Sequence, residues 1–256
     1  MMRLSQLMNY PAITLPEMLS RTVEKSPSEI ALIYFGAKIT YSDLQDHVHR
    51  FAAALQALGI EKGDRVALFM PNCPQFVVGF FGALGAGAIV TPTSPIYTPR
   101  EIAHQWNDAG ASVIIADRKL QPVIEAALPQ LKSVRHIILT GARQYYPKEF
   151  QKLMATLKRP SSHNWIRASN GSTVSFHEWE TLLRTSKQPK RCGLTSSDIA
   201  CLQYTGGTTG TSKGAMLSHS NLVINAFQAN RWLTVGVDGP ETMVAALPLF
   251  HIYALT

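Results

Sequence analysis

Apolar residues recur at helical spacing at Leu44, Val48, Phe51, Leu55 and Leu58, which predicts an amphipathic helix. Thr40 and Asp43 make a capping-box-like start, and Gly59 is placed to end it. Short apolar runs then alternate with further helical patterns. Arg65–Phe69 reads as a buried strand, Pro74 opens a helix through Phe80 to about Leu84, and Ala88–Thr91 is again strand. Thr98, Pro99 and Glu101 start another helix; Val113–Ala116 is strand, Leu120–Leu131 helix and His136–Leu139 strand. Ala200–Tyr204 reads as strand, Asn221–Trp232 as helix and Thr242–Ala246 as strand. This alternation predicts an α/β fold, a doubly wound, mainly parallel sheet with flanking helices. Ligands on such sheets gather at the carboxyl ends of the strands.

The longest apolar run, Phe76–Val90, carries four glycines. At fifteen residues it is too short to span a bilayer, so it reads as a buried helix-turn-strand. Three scattered cysteines, Cys73, Cys192 and Cys201, lack metal-like spacing and read as reduced thiols of a cytoplasmic protein. Met1–Tyr10 has no continuous apolar core, so no secretory signal is expected.

Charge changes the picture in one place. The chain carries 24 Lys/Arg against 17 Asp/Glu, net +7. The whole excess falls between Gly141 and Arg191, a polar stretch with Pro147, Pro160 and Pro189 that interrupts the pattern and is expected to be irregular. It reads either as a solvated surface excursion or, with Tyr145, Tyr146, Trp165 and Trp179, as a peripheral contact with anionic membrane. Nucleic acid is not an expected partner, since no binding motif accompanies the charge.

The candidate chemistry lies in Leu202–Ala215, LQYTGGTTGTSKGA. A strand feeds a loop of glycines, threonines and one lysine. Glycines let backbone N–H groups approach phosphate oxygens, and Lys213 supplies a point charge. The stretch is not the G-x-x-x-x-G-K-[ST] loop: counted from Gly207, the second glycine falls on Ser212, and Gly214 follows the lysine.

The stretch instead resembles the phosphate-binding signature of the acyl-adenylate-forming enzymes, which include acyl-CoA synthetases, luciferases and peptide-synthetase adenylation domains. It departs from them at Ser212, where most members have proline. With Pro95-Ile96-Tyr97-Thr98-Pro99-Arg100-Glu101, Asn107–Ala111 and Ala246–Leu255, the chain resembles the N-terminal half of bacterial long-chain fatty-acid–CoA ligases.

That resemblance implies two steps. Fatty acid and MgATP give acyl-adenylate and pyrophosphate; coenzyme A then displaces AMP. It implies Lys213 on the β/γ-phosphates, Thr205 on Mg²⁺, Thr208 and Thr209 on phosphate oxygens, and Gly206, Gly207, Gly210 and Thr211 completing the cradle. It implies His251 at the carboxylate end of an acyl pocket as a positioning group, since a carboxylate already ionised near neutral pH needs no base. A histidine after an apolar run is otherwise ordinarily structural. Phe250, Tyr253 and Leu255 border an acyl tunnel or pack as ordinary core.

Family members are roughly twice as long. The expectation is therefore residues 1–256 as part of an N-terminal AMP-binding domain, without its later half or the small C-terminal domain, inactive alone and prone to self-association. An acyl-AMP ligase and a non-catalytic module binding lipid or a partner are the alternatives.

Overall fold

The computed structural model describes residues 10–155, 165–167, 173–184, 188–205, 212–233 and 241–255. Helix α1 (Leu15–Lys25) begins at a capping box between Thr14 and Glu17. Strands β1 (Ile30–Tyr34) and β2 (Ala37–Thr40) pair as an antiparallel hairpin. Only Phe35 and Gly36 join them, both at positive φ (50° and 85°), as a two-residue primed turn requires. Gly36 takes this conformation freely; Phe35 takes it at a cost on the order of 1 kcal/mol. Helix α2 (Tyr41–Ala57) starts at the expected Thr40–Asp43 box and turns off at Gly59, φ 80°.

The expected alternation follows: β3 (Arg65–Phe69), α3 (Pro74–Gly85), β4 (Ile89–Thr93), α4 (Pro99–Ala109), β5 (Ala111–Asp117), α5 (Gln121–Ala127) and β6 (His136–Thr140). The run Phe76–Val90 is a buried helix-turn-strand. A Cβ at Gly82 would stand 2.8 Å from the Phe51 ring, so a glycine there lets α3 lie directly on α2. Among the described residues, no helix is long and apolar enough to cross a membrane.

Residues 141–191 do not break the fold as expected. Helix α6 (Lys148–Ala155), strands β7 (Trp165–Arg167) and β8 (Thr173–Glu178) and helix α7 (Trp179–Leu183) lie within them. Strand β8 pairs in parallel with β6, and β7 closes that edge antiparallel. Arg118 pairs with Glu178, joining the segment to the end of β5. Trp179 is buried against Phe51, ring centroids 4.1 Å apart, and Tyr145 is buried too. These two aromatics therefore belong to the core rather than to a lipid interface. The segment reads as polar because an edge strand is covered on one face only and shows few apolar positions.

Strand β9 (Ile199–Thr205) leads into β10 (Lys213–Ser218), an antiparallel strand the sequence pattern did not predict, and then α8 (His219–Leu233). The expected strand at Thr242–Ala246 is absent: residues 241–246 are exposed and carry no regular structure. The chain ends its regular structure at α9 (Ile252–Leu255). Among the described residues the sheet order is β10-β9-β4-β3-β5-β6-β8-β7, parallel from β9 to β8 and antiparallel at both edges. Successive strand residues face opposite sides. Val66, Leu68, Val113, Ile115 and Ile138 pack under α1, α2, α3, α7 and α8. Ala67, Phe69, Ile114, Ala116, Ile137 and Leu139 pack under α4 and α5. The strand order turns back around β3 and β4, so a crevice is expected at their carboxyl ends.

Candidate functional site at the carboxyl edge of the sheet

Strand β9 runs parallel to the centre of the sheet, so its last residue, Thr205, lies at the carboxyl edge. Lys213 opens β10 directly opposite it, and the two are cross-strand partners. Both are exposed. The expected phosphate-binding residues Gly206, Gly207, Thr208, Thr209, Gly210 and Thr211 lie outside the described residues. What is described is the base of the loop, and it is tightly held.

Two side chains of α4 hold that base. The Tyr204 hydroxyl donates to Asp108 Oδ2 at 2.5 Å, and His104 Nε2 lies 3.3 Å from the Ser212 carbonyl oxygen. Burial first, then the hydrogen bond and charge of Asp108, push the Tyr204 phenol above its ordinary range. A Cβ at Gly214, the partner of Tyr204, would meet the tyrosine ring at 2.9 Å. The glycine after the lysine therefore serves packing: it makes room for the ring that fixes the loop.

The second half of the site hangs from the β3–α3 turn. Asn72 Nδ2 donates to the Ala245 carbonyl at 2.9 Å and the Leu247 carbonyl at 2.8 Å, while its Oδ1 accepts from Leu249 N at 2.8 Å. These bonds satisfy backbone groups of Ala245, Leu247 and Leu249 that no sheet partner takes up. On the other side Gln203 Nε2 donates to the Phe250 carbonyl at 3.1 Å. Gln203 stands two residues before Thr205, so one strand end carries both the loop base and a support for the histidine segment. Gln203 is buried, and among the described residues its Oε1 has no partner.

His251 is exposed at the start of α9, where its Nδ1 accepts from Tyr253 N at 3.4 Å. That leaves the proton of the neutral ring on Nε2. Beside this segment lies an apolar cavity of about 160 Å³, bounded by Leu15, Phe76, Phe80, Leu222, Leu249 and Leu255 among others. Leu255 was singled out by the sequence; Leu249 was not. Phe250 is half-buried against the core and Tyr253 is 78% exposed, and neither lines the cavity.

His219, at the junction of β10 and α8, is fully buried and its Nδ1 accepts from Leu15 N at 3.2 Å. It ties the hairpin to α1 and the cavity wall. Burial lowers its pKa to about 4. Asn72 and His219 had no role in the sequence reading, and Asp108 entered it only within Asn107–Ala111, without a role of its own. Each acts on a backbone or side chain far away in the chain, which periodicity does not register. Among the described residues no cluster of His, Cys, Asp or Glu could cage a metal ion. The exposed Thr205 hydroxyl is one hard oxygen ligand, compatible with a Mg²⁺ ion that arrives held chiefly by phosphate oxygens.

The AMP-binding enzyme family matches residues 19–256. The chain is 36% identical over 252 residues to a long-chain-fatty-acid–CoA ligase of Bacillus subtilis, covering 96% of this chain and 44% of that protein. It is 37% identical over 259 residues to the corresponding ligase of Escherichia coli O6:H1, covering 95% and 43%. A 4-coumarate–CoA ligase of Arabidopsis thaliana is 30% identical over 230 residues, covering 86% and 35%. The chain thus spans less than half the length of these relatives. Among solved structures, a long-chain-fatty-acid-CoA ligase from Archaeoglobus fulgidus superposes with TM-score 0.74 at 22% identity, covering 97% of this chain and 45% of that one. A benzoate CoA ligase from Burkholderia xenovorans gives 0.69 at 21%, covering 93% and 41%. The sheet with its glycine-threonine-lysine hairpin, and a match running from α1 to the last described helix, make this chain a member of the AMP-binding enzyme family.

Proposed function

We propose that this chain supplies the phosphate-loop and acyl-binding part of an AMP-forming fatty-acid–CoA ligase. Fatty acid and MgATP would give acyl-AMP and pyrophosphate, and coenzyme A would then displace AMP to give the thioester. The observation that carries the reading is an apolar cavity walled by Leu249 and Leu255, with His251 between them in the chain and the phosphate-loop base braced on the same strand end. An apolar wall suits an alkyl chain. Identity to the B. subtilis and E. coli ligases, above that to the coumarate enzyme, supports a long-chain fatty acid as the acyl donor.

The residues divide the work. Lys213 and the backbone N–H groups of 206–211 take charge that develops on the leaving pyrophosphate. Thr205 offers its hydroxyl to the Mg²⁺ of MgATP. His251 orients the carboxylate by hydrogen bonding from Nε2, with Nδ1 engaged by Tyr253 N. Asn72 and Gln203 hold the His251 segment in register with the loop.

Fatty-acid-dependent exchange of labelled pyrophosphate into ATP tests this reading in a protein carrying this chain together with the remaining length of its relatives. Exchange that requires a long-chain acid and is lost in Lys213→Ala supports it. Exchange driven by an aromatic acid alone replaces the substrate. No exchange with any acid leaves a binding module. Acyl-AMP that accumulates despite added coenzyme A selects the acyl-AMP ligase.

A further inference from the structure

The β1–β2 turn holds a residue that its backbone disfavours. Primed turns select asparagine, aspartate or glycine at positive φ, yet Phe35 stands there at φ 50° and is 69% exposed. Its ring packs edge-on against Tyr34 (centroids 4.8 Å) and Tyr146 (5.0 Å), and Tyr34 stacks on Tyr146 at 5.9 Å. Three aromatics thus brace one another while the outermost remains in solvent. Ile33 is 53% exposed, cross-strand from Lys38, and Phe150 is 57% exposed on α6.

Cations outnumber anions here. Lys38, Lys148 and Lys152 are exposed, against Glu149 on the same helix. Among the described residues none of these lysines makes an ion pair. The position also matters. Burial, then Cys73, Tyr146 and Asp117 close by, push the Tyr34 phenol up to about 12. Tyr146 follows soon after Thr140, the carboxyl end of β6, and Gln75 Nε2 at the start of α3 donates to the Gly141 carbonyl at 2.7 Å, so the aromatic cluster stands on the carboxyl edge of the sheet, the rim that bears the candidate site.

An exposed aromatic at a braced hairpin tip, with exposed lysines on β2 and on α6, has the composition of a membrane-surface anchor: apolar groups enter the headgroup region and cations meet anionic lipid. We propose that the β1–β2 tip and the start of α6 dock on an anionic lipid bilayer, with Phe35 as the inserted side chain and Lys38, Lys148 and Lys152 against the headgroups. This keeps Lys148 and Lys152 of 141–191 in the lipid contact but replaces Tyr145 and Trp179, which are buried, with the tip of the hairpin that precedes them. It does not depend on adenylate chemistry, so it stands or falls apart from the proposed function.

Flotation of the 256-residue chain with phosphatidylcholine vesicles, with and without about 30% phosphatidylglycerol, tests it. Binding is expected only with phosphatidylglycerol and should weaken as salt rises. Phe35→Asn should lower binding about tenfold with an equal or higher melting temperature, since asparagine accepts the turn. Lys148→Gln with Lys152→Gln should abolish the dependence on phosphatidylglycerol. Should Phe35→Asn lower the melting temperature, Phe150→Ser on the exposed helix decides: reduced flotation supports the proposal and undiminished flotation overturns it. Absence of flotation, equal binding to both vesicles, or a Phe35-dependent dimer in sedimentation without lipid binding each overturns it.

Discussion

Two of the antiparallel strand pairs, β1–β2 and β9–β10, are built on opposite plans. The β1–β2 hairpin closes through Phe35 and Gly36 and holds its own tip by aromatic packing. The β9–β10 hairpin runs between Thr205 and Lys213 through a sequence rich in glycine and threonine, and among the described residues its base is held by Tyr204, Asp108 and His104. Chain length beyond what a reversal needs adds closure entropy, a cost the β9–β10 connection carries and the two-residue β1–β2 turn does not. The proposed phosphate role of β9–β10 rests on the sequence between its strands, and the proposed lipid role of β1–β2 on one exposed ring.

Removing the lysine should break the long hairpin's chemistry and leave its fold. Lys213→Ala is expected to raise the adenylation barrier by about 3–4 kcal/mol, read as pyrophosphate exchange, without moving the melting temperature, because the side chain is exposed. Acid should instead attack the hairpin's attachment to α1. The unfolded chain protonates His219 near pH 6.5, but the folded chain does so only near 4. Stability is therefore complete above about pH 6.5 and falls as the pH drops towards 4, by on the order of 2–3 kcal/mol. His47, His49, His136 and His177 are lowered by burial as well and add in the same direction. Urea titrations from neutral pH to about 5 should show the decline, and His219→Gln should flatten it.

Gly214→Ala should break the foot itself. Its Cβ would strike the Tyr204 ring, so a loss of about 2 kcal/mol is expected in urea denaturation, together with weaker nucleotide binding. Asn72→Ala should cost only about 1 kcal/mol, because water reaches the freed carbonyls. It should nevertheless accelerate hydrogen exchange at Leu249 and raise the KM for fatty acid in the exchange assay. Phe35→Asn is the smallest effect: relief of positive φ gains about 0.5–1 kcal/mol and loss of the two edge-on ring contacts offsets most of it, so the melting temperature should hold or rise slightly.

The legible parts of this fold share one property: each is determined within a few residues. The boxes at Thr40–Asp43 and Thr98–Glu101 announced their helices because the groups that cap them lie three positions apart. The buried strands from β3 to β6 announced themselves as apolar runs. By contrast β10, whose burial is slight and whose pairing is with an edge, had no periodic signal, and Thr242–Ala246 had a strand-like composition without a neighbour to pair with. Trp179 was misplaced because a core residue on a polar edge looks like an exposed one until α2 packs over it. At the candidate site the signature named Lys213 and Thr205, but the clamps Asn72, Asp108 and Gln203 act across long stretches of chain and emerge only from coordinates.

The pairing of Val90 with Cys201 joins β4 to β9 across roughly a hundred residues of intervening chain. During synthesis β3, β5 and β6 can assemble beside β4 while its other edge waits for a partner that has not been made. At ~5–20 residues per second that edge stays open for on the order of 5–20 s on the ribosome. Among the described parallel strands, β9, which leads into the candidate phosphate loop, is thus the last to be made, and the nascent chain presents an unpaired, apolar border until it arrives. Chaperone demand for this protein should accordingly track elongation speed between β4 and β9, and synonymous slow codons there would lengthen the exposure without altering a single residue.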